Sequence, residues 1–170
     1  MNDKFKIILT HPGDISDFSS ISNVHDIFHF PTIKIKRNVI EISDIDSYDF
    51  LLFSSKYGAT IFTQLKAINF SNINALCVGY KSKDILMNNK VNISFCSNSY
   101  KENITKDIKL LKLIRDKKIL YLTGNLSDSS IEESLQNICE IKRLDIYETL
   151  EITNKYDQFE DLLVSNKCVV

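Results

Sequence analysis

Apolar residues fall into short runs along this chain, and most runs are followed by a polar or helix-patterned stretch. Phe5 to Thr10 is the first run, and His11-Pro12-Gly13 ends it. The stretch to about Asp26 is weakly patterned, with a poor signal for a short helix. Ile27 to Phe30 is apolar, Pro31 interrupts, and Thr32 to Lys36 then alternates with period two, as a half-exposed strand does. A proline between two extended segments reads as a linker or an edge crossing. Phe50 to Phe53 is apolar throughout, as expected of a strand buried on both faces. A helix should follow it with Ile61, Phe62 and Leu65 on one face.

The alternation then continues. Ala75 to Val78 reads as a strand, Lys81 to Met87 as a short helix and Val91 to Phe95 as a strand. Tyr100 to Arg115 is the clearest helix, with Ile104, Ile108, Leu111 and Ile114 as its apolar stripe. Ile119 to Thr123 is a strand, and Ser130-Ile131-Glu132-Glu133 is a capping-box pattern opening a helix to about Asn137. Ile141 to Tyr147 closes the series as a strand, and 157–164 suggests a short helix before a strand that begins at Lys167. Repeated strand-helix units at this spacing predict a three-layer α/β domain with a mainly parallel sheet. The two ends, each too small to stand alone, are expected to belong together in a second domain split in sequence, whose remaining part lies outside this chain.

Composition adds exclusions. At 170 residues the chain is one domain or two small ones, and a formal charge of −1 gives nucleic acid or acidic membrane no long-range attraction. The first apolar run is too short for a signal peptide, and no stretch approaches the ~20 apolar residues of a membrane span. Cys77, Cys96, Cys139 and Cys168 form no CxxC pair, which fits free thiols in a reducing cytoplasm. Glycine punctuates the runs: Gly13, Gly58, Gly79 and Gly124 each close one, and they are expected where another residue would strain the backbone. In parallel α/β sheets ligands bind beyond the carboxyl ends of the strands, so these turns mark the edge to search.

Three turns carry candidate chemistry. Ser54-Ser55-Lys56-Tyr57-Gly58 follows the most buried strand; its hydroxyls either cap a helix or, with the free backbone N–H groups, hold an anion. Val78-Gly79-Tyr80-Lys81-Ser82 and Thr123-Gly124-Asn125 repeat the arrangement; for one turn alone the capping reading is favoured, and three on one edge give the expectation of an anion-binding rim. Tyr147 stands where the last regular strand meets the tail, either as packing or as a neutral phenol able to give up a proton. His25 and His29, four apart, could share a helical face, but a zinc site needs further ligands and a structural or exposed pair is favoured. Carboxylates such as Glu132-Glu133 and Asp44/Asp46 read as solvated faces. The GxxxxGK, GxGxxG and GxSxG patterns are absent, and nothing requires a cofactor.

In order and spacing these motifs resemble the uroporphyrinogen-III synthase family over about residues 5–150. Phe30-Pro31-Thr32-Ile33-Lys34-Ile35 matches the family's Phe-Pro-x-Ile-x-Ile linker. Asp49 to Gly58 matches its Asp-aromatic-Leu-Ile-Phe-Thr-Ser-x-Asn-Gly strand and turn. Val78 to Ser82 resembles its Val-Gly-x-Thr turn, Gly124 its Leu-x-x-x-Gly strand end, and Tyr147-Glu148-Thr149 its return linker. Two positions depart from it: His11 replaces an arginine, and Tyr57 an asparagine.

The resemblance implies two three-layer α/β domains with parallel sheets, joined by a two-stranded linker, the first domain discontinuous and incomplete in this chain. The boundaries expected are 1–30 plus 153–170 for the first domain, 31–36 and 147–152 for the linker strands, and 37–146 for the second. It implies a hydro-lyase of heme biosynthesis that cyclises hydroxymethylbilane, an octacarboxylate, with inversion of ring D through a spiro intermediate and loss of water, using no metal and no cofactor. By the same resemblance Tyr147 would assist departure of the hydroxyl, and Ser54, Ser55, Gly58, Gly79, Ser82, Gly124 and Thr149 would bind substrate. A cytoplasmic monomer with no nucleic-acid or membrane partner is expected. The alternatives are a non-catalytic α/β module or inactive fragment binding a small anion, and a protein-interaction domain that pairs through its C-terminal strand.

Overall fold

A computed structural model describes residues 5–40, 42, 44–65, 68–97, 106–153, 156–164 and 168–169. It divides into two compact units, Met1–Lys36 with Thr149–Val170, and Arg37–Glu148. In the first, β1 (Lys6–Leu9) lies between β2 (Asp26–His29) and β9 (Cys168–Val169), with both pairings parallel. A 3-10 turn over Ser16–Phe18 and the single helical turn α1 (Ser19–Ser22) link β1 to β2, and Ile8 is buried at 2% exposure. In the same unit the Phe30 ring meets Phe159 of α6 (Tyr156–Val164) at 5.1 Å between centroids. His25 and His29 do not share a helix: His29 ends β2 and bonds the His11 carbonyl oxygen through Nε2 at 3.0 Å, while His25 Nδ1 accepts the Phe5 N–H at 3.3 Å.

The second unit is built on the parallel strands β4 (Phe50–Phe53), β5 (Asn74–Val78), β6 (Asn92–Ser97), β7 (Lys118–Gly124) and β8 (Glu140–Glu151). With β3 (Ile33–Arg37) the strand order is β3-β8-β7-β4-β5-β6. Thr32 bonds residue 152 and Asn38 bonds residue 146, a constant sum that makes β3 and β8 antiparallel. The mixed α/β architecture with parallel sheets is thus the one the apolar runs predict.

Alternation along β4 divides the core. Phe50 and Leu52 face a cluster with Leu76, Leu110, Ile114, Ile119, Tyr121, Ile131 and Leu135, covered by α4 (Ile108–Ile114) and α5 (Ser130–Leu135). Phe53 contacts Phe62 of α2 (Lys56–Thr63), and both rings are fully buried. α3 (Tyr80–Asn88) buries Leu86 and Ser82.

Two helices depart from the pattern reading. Asp107 caps α4, accepting the N–H groups of Lys109 at 2.8 Å and Leu110 at 3.1 Å, so the described helix begins at Ile108. Of the expected stripe, Ile114 is buried in the core and Leu111 packs against it, whereas Ile108 is 68% exposed and Leu110 is buried in addition; Tyr100 and Ile104 lie outside the described residues. α5 is flanked by Ser129, whose hydroxyl donates to the Glu133 carboxylate, and its last α-helical residue is Leu135. The strand anticipated from Lys167 is described only at Cys168–Val169.

Candidate active site

The chain leaves β4 outward through β5 to β6, then returns to lay β7 against the other side of β4 and β8 beyond it. The direction of winding therefore reverses between β4 and β7. In open α/β sheets such a reversal opens a crevice at the carboxyl ends of the two strands. Ser54-Ser55 follows β4 and Gly124 ends β7, so these two turns flank the reversal.

A tyrosine occupies it. Register between β7 and β8 is constant from Lys118↔Glu140 to Thr123↔Asp145, then slips by one so that Gly124 pairs with Tyr147. This is a β-bulge, a device that re-aims a side chain. Tyr147 is 8% exposed. A Cβ added to Gly124 would lie 2.8 Å from its Cδ2 and closer still to Cε2 and Cζ, so the ring rests where any other residue would carry its side chain. Gly58, on the first turn of α2, is 3.9 Å from Tyr147 Cε1 by the same measure, and 3.2 Å from the Leu122 carbonyl oxygen. Tyr57 stands edge-on to the Tyr147 ring at 6.3 Å. Burial is the main reason the Tyr147 phenol titrates above its ordinary value; a hydrogen bond with the Ser55 side chain pulls the other way. The phenol is therefore neutral at physiological pH.

A hydroxyl chain ties the two turns together. Tyr121 Oη, on a side chain with no exposed surface, is 2.6 Å from Ser54 Oγ and 3.1 Å from Ser127 Oγ. Ser55 caps α2, accepting the Tyr57 N–H at 3.2 Å. At the third turn Gly79 caps α3 with φ +82° and ψ 145°, which L residues rarely adopt, and donates its N–H to the Ser97 carbonyl oxygen at 2.8 Å. Neither α2 nor α3 has an acidic residue in its first turn, where Lys56 and Lys81 stand instead. Lys56 Nζ lies 5.1 Å from the Tyr57 ring centroid, and Lys81 pulls the Tyr57 phenol down against the larger upward push of burial.

A family profile described as uroporphyrinogen-III synthase HemD matches residues 22–170. The chain belongs to the uroporphyrinogen-III synthase family. Members are cyclising hydro-lyases of heme biosynthesis. Its fold is similar to that of uroporphyrinogen-III synthetase from Helicobacter pylori 26695, with a TM-score of 0.66 at 17% identity over 94% of this chain and 68% of that one. It is also similar to a mutant uroporphyrinogen III synthase from the extremely thermophilic bacterium Thermus thermophilus, with a TM-score of 0.58 at 12% identity over 94% and 68%. Comparison with curated protein sequences returns no match.

For this synthase-family chain the structure gathers Tyr147, Ser55, Gly58 and Gly124 at one place, with Ser54 bonded behind them through Tyr121. Gly79 lies one strand away at the end of β5. Ser82 is only 2% exposed, so its side chain presents almost no surface. Thr149 falls in the other unit, two residues beyond Tyr147 on β8. The glycines are not all explained by backbone strain: only Gly79 has positive φ, whereas Gly58 and Gly124 answer to close packing. Tyr121, Ser127 and Arg143 were not singled out by the sequence. Tyr121 sits inside an apolar run, and Arg143 reads as one polar position of an alternating strand. A groove of about 630 Å³ lies elsewhere, along α3 and β6 between Lys83 and Cys96. No helix among the described residues is long and apolar enough to cross a membrane.

Proposed function

We propose that this chain acts as a uroporphyrinogen-III synthase on hydroxymethylbilane, with Tyr147 as the proton donor. The observation that supports this reading best is the buried neutral phenol placed by a bulge at the reversal point of the sheet. The phenol gives its proton to the substrate hydroxyl, which leaves as water, and an azafulvenium remains. The substituted α-carbon of ring D attacks the azafulvenium methylene to form the spiro intermediate; its bond to the bridge from ring C then breaks, and the freed bridge carbon bonds the other α-carbon of ring D, which closes the macrocycle with ring D inverted. The proton released at closure returns to the phenolate. The cation is reactive once formed, so the protein's chief task is to hold the chain folded and select the attacking carbon.

Eight carboxylates need many donors. The first turns of α2 and α3, Ser54, Ser55 and the backbone at Gly58, Gly79, Ser82 and Gly124 supply them in this proposal, with Thr149 completing the set. Residues 1–30 with 153–170 form the first domain in this reading, 31–36 and 147–152 the linker strands, and 37–146 the second. The protein works as a cytoplasmic monomer on a small molecule, with neither nucleic acid nor membrane as partner.

A carboxylate rim predicts discrimination by charge. Uroporphyrin, with eight carboxylates, should quench in fluorescence titration with at least ~10-fold higher affinity than coproporphyrin, with four, since charge-assisted hydrogen bonds are worth ~1.5–3 kcal/mol each. The difference should shrink with added salt. Equal affinities would remove the rim from the account.

A further inference from the structure

We infer that Arg143 is a positioning residue for the Tyr147 phenol, because its guanidinium locks the turn on which the phenol ring rests. This rests on the role proposed for Tyr147. Arg143 is on β8, four residues before Tyr147. Its Nη2 donates to the Gly124 carbonyl oxygen at 2.9 Å, and its Nη1 to the Ser127 carbonyl oxygen at 2.7 Å, with the Asp128 carbonyl oxygen at 3.4 Å. One planar group thus holds both ends of the turn between β7 and α5. Its own orientation is fixed by Asp145 Oδ1, 2.7 Å from Nε, and by Glu132 Oε1, 3.4 Å from Nη1. The other Glu132 oxygen, Oε2, is buried and has no hydrogen-bond partner.

The turn is also pinned from the far side of the bulge, where the Asn125 N–H donates to the Tyr147 carbonyl oxygen at 3.2 Å. β8 therefore grips one turn twice, with the Arg143 side chain before the bulge and the Tyr147 backbone after it. Gly124 is common to both: its carbonyl is bound by Arg143 and its α-carbon supports the Tyr147 ring. Ser127 extends the connection, since its hydroxyl bonds Tyr121, and Tyr121 bonds Ser54, next to Ser55. A shift of this turn moves the support on which the phenol ring rests. Lysine cannot replace the fork, because an ammonium is a point charge that does not span two carbonyls in a fixed plane.

The test uses the full chain with Arg143→Lys, Tyr147→Phe and the double substitution. Arg143→Lys should lower kcat by ~10- to ~100-fold, the range expected when a reacting group is misplaced by less than or about an ångström, with KM little changed. The Asn125 amide should exchange with solvent at least ~10 times faster as the turn opens locally. In the Tyr147→Phe background, Arg143→Lys should lower kcat no further, since the two act through one group. A folded Arg143→Lys protein with unchanged kcat or unchanged Asn125 exchange overturns the inference, as does an additive loss in the double substitution. If the unsubstituted chain forms only the type I isomer, the synthase reading fails; Asn125 exchange then decides separately whether Arg143 holds the turn.

Discussion

Gly124→Ala should abolish most type III product formation, lowering kcat by ~100-fold, the penalty for roughly an ångström of misplacement at a reacting group. The reason is local. The new methyl would occupy the space now filled by Cε2, Cζ and Cδ2 of Tyr147. That ring is 8% exposed and hemmed in by Tyr57 and Gly58, so it cannot move aside without leaving its place at the Ser55 hydroxyl. Overpacking of this kind destabilises by ~1–3 kcal/mol, to be read as a lower denaturation midpoint with an unchanged m-value. The folded fraction remains large enough for kcat to be measured, so stability loss and misplacement can be separated. Wild-type kcat in a folded Gly124→Ala protein would show that the phenol's position is not critical.

Tyr147→Phe removes only the hydroxyl and should lower kcat by ~10²- to ~10⁴-fold, the usual contribution of a positioned proton donor. Stability should change little, because the ring and its packing on Gly124 are kept. The pH profile supplies a second reading. Burial holds the phenol above its ordinary value, so the protonated, active form persists through neutral pH and is lost only as pH rises above that value. The wild-type rate should therefore show no alkaline decline due to Tyr147 at or below its ordinary titration range. The phenylalanine variant should lack that decline altogether. Full kcat in Tyr147→Phe would exclude the phenol as the acid.

Much of the scaffold was legible from the chain. Runs such as Phe50 to Phe53 and Ala75 to Val78 are apolar because both sheet faces are covered, and they stand in the structure as β4 and β5. The order of those strands was not legible, since run length and periodicity say nothing about which strand lies beside which. The reversal between β4 and β7, which makes one crevice of two distant turns, needed coordinates. The β8 bulge was hidden for a related reason: Asp145-Ile146-Tyr147 reads as ordinary alternation, and only pairing with β7 reveals the slipped residue. Arg143 looked like a solvent-facing strand position because its partners are mostly backbone carbonyls about 15 to 19 residues away. On α4 the periodicity placed Leu111 and Ile114 against the core but not Ile108, which follows the Asp107 cap at the exposed start of the described helix.

The central claim is that this chain directs ring inversion. Spontaneous closure of hydroxymethylbilane occurs without it and yields the type I isomer, so the identity of the product is decisive. The full chain should be incubated with enzymatically generated hydroxymethylbilane, and the oxidised products separated by isomer. The account predicts uroporphyrin III in proportion to the protein added; type I product alone, at the uncatalysed rate, would contradict it.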